Sequence, residues 1–311
     1  MRKQFCDTMV ERCGQKDMVF MTGDLGFMAL EPLALAMGDR FVNAGVSEQN
    51  MISVAAALAK DGFEAWAYSI APFCYARPFE QIRNDVTFHN LRVRLVGNGG
   101  GYGYGVMGPT HHAIEDYGIM LALPNMQVFV PAFDEDVPEA ATRAGDCSGA
   151  AYLRLGRGEP PKGYVVPAYA PWRQLTEGDG PVVIACGPLA GTYLEAIDAL
   201  AASVRPQLWV VTELPISCNP MPAALLAQLK RAKSVCVVEE HVERGGVGPE
   251  IAMALIKAGI LPAKFVHLYA LAHLYERYGS QGFLRKQSRL DPASLLLALA
   301  IDEPTLVSTS P

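Results

Sequence analysis

The sequence predicts an α/β protein with two domains of mainly parallel sheet covered by helices. Three observations point there. Short apolar, β-rich runs alternate with helical patterns along the chain, the ordering that parallel sheets with crossover helices require. A stretch crowded with Gly and Pro, from Gly158 to Gly180, then breaks the alternation as an interdomain connection would. Beyond it three further buried-strand runs appear. The expected division is residues 1–160, a connecting segment 161–180, and residues 181–311.

Taken in order, Val19 to Thr22 reads as the first strand, with a turn at Asp24-Leu25-Gly26. Phe41 to Asn43 is the next strand. Met51 to Lys60 is a helix rich in Ala, Val and Ile, with Ser47 as its N-cap and Glu48 in its first turn. Glu64 to Tyr68 reads as a strand, Arg77 to His89 as a helix and Val93 to Val96 as a strand. In the second half, Val182 to Ala185, Gln207 to Val211 and Ser234 to Val238 are strands, with helices near Tyr193 to Ala202 and Pro249 to Lys257. Asp24, Glu48, the segment after Tyr68 and the glycine loop after Val96 all follow strands. In an open parallel sheet such positions share one edge, where ligands bind.

Bulk properties exclude several classes. A net charge of −6, from 26 basic and 32 acidic residues, argues against a nucleic-acid footprint or a polybasic membrane surface. No apolar run reaches the ~20 residues of a membrane span, and the first residues lack a signal peptide's apolar core. Seven cysteines without a Cys-x-x-Cys pair fit reduced thiols in a cytoplasmic protein. Two motifs mislead. Gly103 to Gly108 matches G-x-G-x-x-G but runs into Pro109 within a glycine-rich stretch, and reads as a flexible substrate loop. Gly178-Asp179-Gly180 has no pair of asparagines about thirty residues on and reads as a turn of the connecting segment.

The most informative residues are Gly45-Val46-Ser47-Glu48-Gln49-Asn50 and, later, Gly108-Pro109-Thr110-His111-His112. With Arg40 to Ala44, Pro78 to Arg83, Leu123 to Met126 and Tyr152 to Leu155, they resemble the transketolase family of thiamine diphosphate enzymes. The similarity runs over essentially the whole chain. It implies a thiamine diphosphate pyrimidine-binding domain followed by a transketolase C-terminal-like domain. Glu48 matches the glutamate that bonds the cofactor's aminopyrimidine ring, a role that needs a carboxyl in a dry pocket, protonated or sharing a proton. Taken alone, a glutamate there would simply favour a helix N-terminus.

Further assignments follow from the same resemblance. Phe73 matches the aromatic residue that stacks on the pyrimidine, with Tyr75 and Phe79 as competitors. Asp24 matches an acidic residue near the cofactor. His111 matches the histidine facing the substrate, and the role of His112 stays open. Arg157 and Arg2 match arginines that bind substrate phosphate, for which guanidinium forks are suited. Two positions depart from the pattern. Met107 stands where ketose-phosphate enzymes carry an aspartate that reads a donor hydroxyl, and a histidine expected near Gly99 is missing. A methionine cannot form a carboxylate's charge-assisted bonds, so an altered sugar, or pyruvate as acyl donor, becomes plausible.

The domain that holds the diphosphate and its Mg2+ in this family normally precedes the residues matched here, and no metal ligands are assigned to this chain. The resemblance therefore implies the C-terminal subunit of a split enzyme, forming a homodimer within a heterotetramer with an N-terminal transketolase-like subunit. The expected reaction moves a two-carbon ketol unit between sugar-type substrates. An acyloin-forming or two-oxo-acid decarboxylating beta-type subunit is the enzymatic alternative, and a non-catalytic stabilising subunit is the other.

Overall fold

A computed structural model describes residues 1–273 and 279–301. The end of the expected second domain, residues 302–311, lies outside the described residues. Two sheets carry the fold. The first holds seven strands in the order β10-β5-β6-β4-β3-β1-β2, and the second five in the order β12-β11-β8-β9-β7. In chain order the first six of the seven first-sheet strands are β1 (Met18–Thr22), β2 (Phe41–Asn43), β3 (Glu64–Ile70), β4 (Val93–Asn98), β5 (Met126–Phe129) and β6 (Ala150–Leu155). The remaining strands are β7 (Trp172–Gln174), β8 (Val182–Cys186), β9 (Gln207–Val211), β10 (Glu213–Leu214), β11 (Ser234–Val238) and β12 (Lys264–Leu268). These strands pair in parallel except for β10 with β5 and β7 with β9. Strands β1, β4, β6 and β8 are buried along their whole length. Continuous apolar strands of this kind are what a parallel sheet covered on both faces demands.

Four helices shape the site: α1 (Arg2–Cys13), α2 (Glu31–Met37), α3 (Glu48–Lys60) and α4 (Ala71–Tyr75). Ser47 occupies the N-cap position of α3, but its side chain makes no capping bond. Arg2 is the first residue of α1. The helix expected from Arg77 to His89 starts only at Phe79, passes into a π-helical turn over Ile82–Thr87, and leaves Arg77 outside. Pro78 accounts for this, because a proline disfavours helical geometry in the residue before it.

One strand crosses between the two halves, as β10 leaves the second half and pairs with β5 of the first sheet. β7 lies inside the segment expected to be a connection, yet it joins the edge of the second sheet. A buried ion pair ties β7 to the first half. Arg173 in β7 reaches Asp136 through Nη1 to Oδ1 at 2.7 Å and Nη2 to Oδ2 at 2.5 Å. Asp136 Oδ2 also accepts the backbone N–H groups of Ala132 and Phe133 at 2.9 and 3.0 Å.

Candidate active site

The carboxyl ends of β1, β2, β3, β4 and β6 lie along one edge of the first sheet, and the loops leaving them carry the predicted residues. Glu48 opens α3 immediately after the β2 loop and is only 4% exposed. A cavity of about 690 Å³ is bounded by Val46 to Asn50 and by Arg77. Gly23, just past β1, borders the carboxylate: a Cβ there would lie 3.5 Å from Glu48 Oε1.

Arg77 is the residue that the sequence pattern did not single out. Its Nη1 donates to both Glu48 oxygens, at 3.0 and 3.1 Å, and its guanidinium carbon lies 3.9 Å from the centre of the Phe73 ring. A flat cationic amidine-type group thus bonds Glu48 and stacks on Phe73 at once. Those are the two contacts an aminopyrimidine ring would need from the same pair, so the spacing of Glu48 and Phe73 suits such a ring. Of the competing aromatics, Tyr75 is buried and donates its hydroxyl to Glu115 at 3.2 Å, away from Glu48. The signal that could have revealed Arg77 was Pro78.

His111 completes this cluster. Its ring meets Phe73 edge-on at 5.2 Å and Tyr104 at 6.3 Å. Burial, and then the nearby Arg77 charge, push its pKa below the ordinary 6.5 and favour neutral imidazole. Thr110 Oγ1 engages Nδ1 at 2.9 Å, which leaves Nε2 for a substrate. His112 has a different environment. It is buried, its Nε2 donates to the Gly105 carbonyl at 3.2 Å, and burial lowers its pKa.

The glycine-rich loop between β4 and His111 is anchored at its start, just ahead of the Gly103 to Gly108 stretch. Gly101 and Ala113 form a β-bridge. The Tyr102 N–H donates to Glu240 at 2.7 Å, and the Tyr102 hydroxyl reaches Ser288 and the Ala272 carbonyl in the second half. The missing histidine near Gly99 has a steric reason. Gly99 sits at φ +79°, and a Cβ there would run into the Tyr104 ring.

Arg2 and Arg157 come together although they are far apart in sequence. Both line a cavity of about 220 Å³ with Asn98, Gly99 and Tyr104. Tyr68 in β3 is buried, and that burial pushes its pKa up. Asp24 stands apart from Glu48. It adopts φ +57°, exchanges two hydrogen bonds with Asn43 at 2.9 and 3.1 Å, and lines a separate cavity of about 250 Å³. Met107 is 56% exposed on a short 3₁₀ turn and lines none of these cavities. One further cavity, about 530 Å³, opens beside Gly178-Asp179-Gly180 at the amino ends of β8, β9 and β11. That is the edge opposite to the one where such sheets carry ligands.

The chain is similar in sequence and fold to known proteins. Residues 11–162 match the family described as "Transketolase, pyrimidine binding domain", and residues 170–294 match "Transketolase, C-terminal domain". The B subunit of apulose-4-phosphate transketolase from Actinobacillus succinogenes is 30% identical over 280 residues, 88% of each chain. Its namesake from Phocaeicola vulgatus is 26% identical over 82% of this chain and 83% of its own. A solved split-gene transketolase, described as an inactive beta4 tetramer, superposes with a TM-score of 0.80 at 29% identity. That match covers 96% of this chain and 98% of the other. No helix among the described residues is long and apolar enough to cross a membrane.

Proposed function

The chain belongs to the transketolase family, and from that premise we propose that it is the pyrimidine-binding, C-terminal subunit of a split thiamine-diphosphate-dependent enzyme. Its reaction is the transfer of a two-carbon ketol unit between sugar-type substrates. The observation that carries this reading is the Glu48–Arg77–Phe73 stack with His111 against it, at the carboxyl edge of the first sheet. When bound, thiamine diphosphate supplies a carbanion nucleophile and stores the charge that develops on the substrate.

Each residue then has a task. Glu48 holds a proton at Oε1 or Oε2 against the pyrimidine ring. Arg77, which covers the Phe73 face and both Glu48 oxygens here, has to move off them to admit the ring. Phe73 supplies the stacking face. His111, kept neutral, takes or returns a proton at the substrate through Nε2. Arg2 and Arg157 take the phosphate end. Asp24 contributes from the neighbouring cavity, at the rim of the cofactor site.

Diphosphate and Mg2+ are held mainly by an N-terminal transketolase-like partner, with this chain as a homodimer in the heterotetramer. Exposed apolar side chains support a partner on this edge: Phe27, Met28, Leu35 and Val46 are 71–88% exposed around the β1 and β2 exits. The names of the two apulose-4-phosphate transketolase relatives and of the inactive beta4 assembly point the same way. The Gly99–Tyr104 packing, which leaves no room for a histidine at Gly99, favours a second reading, with pyruvate as donor. Dependence of the assembled enzyme on pyruvate rather than a ketose phosphate would select it.

Glu48→Gln in the assembled enzyme tests the primary reading. It keeps the shape of the side chain and removes the proton relay. Proton–deuterium exchange at the thiazolium carbon should slow by at least about 100-fold, as loss of an acid–base group does, with the fold intact. Unchanged exchange in a folded variant would refute the role of Glu48.

A further inference from the structure

We infer that the Tyr104 hydroxyl is a further substrate-binding group, a hydrogen-bond donor that helps select substrates ending in an oxyanion. The inference rests on the proposed phosphate role of Arg2 and Arg157 and extends it to a residue that the sequence did not single out. Tyr104 lines the same cavity of about 220 Å³ as those two arginines, with Asn98 and Gly99 on the wall. Among the described residues, no Asp or Glu lines that cavity. Its polar side chains are two guanidinium groups, an amide and a hydroxyl, a donor-rich set suited to phosphate oxygens.

Hydrogen-bond accounting decides what the hydroxyl can offer. Asn98 Nδ2 donates to Tyr104 Oη at 2.6 Å, so the oxygen already serves as an acceptor. Asn98 itself is 8% exposed at the end of β4, which fixes the amide. The phenolic proton remains to be donated toward the cavity, and a phenol with its oxygen already bonded is the better donor, since linked hydrogen bonds polarise one another.

The ring is held as firmly as the hydroxyl. It fills the space beside Gly99, whose φ of +79° and lack of room for a Cβ make glycine the residue that permits this packing. Its edge approaches His111, with ring centres 6.3 Å apart. Tyr104 therefore spans the distance between the histidine at the reacting end and the arginines at the phosphate end. A substrate reaching from one to the other passes its hydroxyl.

The test uses the purified chain with inorganic phosphate as the probe, its affinity read by phosphorus NMR or calorimetry. Tyr104→Phe keeps the ring on Gly99 and removes the proton. Affinity should fall about tenfold or more, the loss typical of a hydrogen bond to a charged group, while circular dichroism shows the variant still folded. Arg157→Gln should weaken binding at least as much. In the assembled enzyme, Tyr104→Phe should raise KM for a phosphorylated substrate while leaving kcat nearly unchanged, a split that loss of general packing would not give. Phosphate binding weakened by Arg157→Gln but untouched by Tyr104→Phe would overturn the role of Tyr104 and leave the arginine assignment standing. Phosphate that fails to bind the unaltered chain, or binds it regardless of Arg157, would overturn the oxyanion cavity altogether.

Discussion

The contact between Arg77 and Glu48 can be weighed directly, and a double-mutant cycle does so. Glu48 is 4% exposed whereas the Arg77 side chain is 45% exposed. At the observed separation of 3.0 Å, an effective dielectric near 20 gives a bare attraction of about 5–6 kcal/mol. Solvent on the arginine side and the desolvation of Glu48 offset most of it, so the net should lie near the top of the surface-pair range, about 1 kcal/mol. Stacking on Phe73 at 3.9 Å adds about 0.5–1 kcal/mol, but that part survives in Glu48→Gln and cancels in the cycle. Arg77→Met, Glu48→Gln and the double variant should therefore show a coupling of about 1 kcal/mol in urea unfolding at pH 7. Raising the salt concentration should reduce it only partly, since one partner is buried. A coupling within about 0.3 kcal/mol of zero would mean that Arg77 does not hold Glu48 in solution, and the stacked arrangement would lose its support.

Two other perturbations test the scaffold. Asp136→Ala leaves Arg173 buried without its partner, and chemical denaturation should register a loss of about 3–5 kcal/mol; a loss under about 1 kcal/mol would show that this pair does not fasten β7 to the first half. His112 is buried with its pKa lowered by burial, so only the unfolded chain takes up its proton just below pH 6.5. Its contribution to stability is thus complete above about pH 6.5 and declines as the pH falls below that value. His112→Gln should flatten this part of the stability profile in pH-dependent melts, and an unaltered slope would contradict the assignment.

Much of this architecture was legible because it rests on local pattern. The strands after which Glu48, Phe73 and Gly99 fall are short, apolar and separated by helical runs, and parallel order then places their exits on one edge. The features that escaped are long-range or short in extent. β10 is two residues long, too short for any periodicity to declare it. β7 sits among prolines, and its position depends on a buried pair formed with a residue 37 positions away. Arg77 was absorbed into a helix because Phe79, Ile82 and Val86 carry a helical period, although Pro78 cuts that helix off from it. Tyr104 lies in a glycine-rich stretch whose composition suggests mobility, and only the structure shows its ring packed on Gly99 and its hydroxyl bonded to Asn98.

Partner dependence bears most directly on the central claim. Thiamine diphosphate with magnesium should be titrated calorimetrically into the purified chain, and then into the chain combined with an N-terminal transketolase-like partner. The account predicts no strong binding to the chain alone, binding in the combined sample, and loss of that binding when Phe73 is replaced by Ala. Micromolar binding to the isolated chain would contradict the split-enzyme reading, and binding that ignores Phe73 would contradict the assignment of the pyrimidine site.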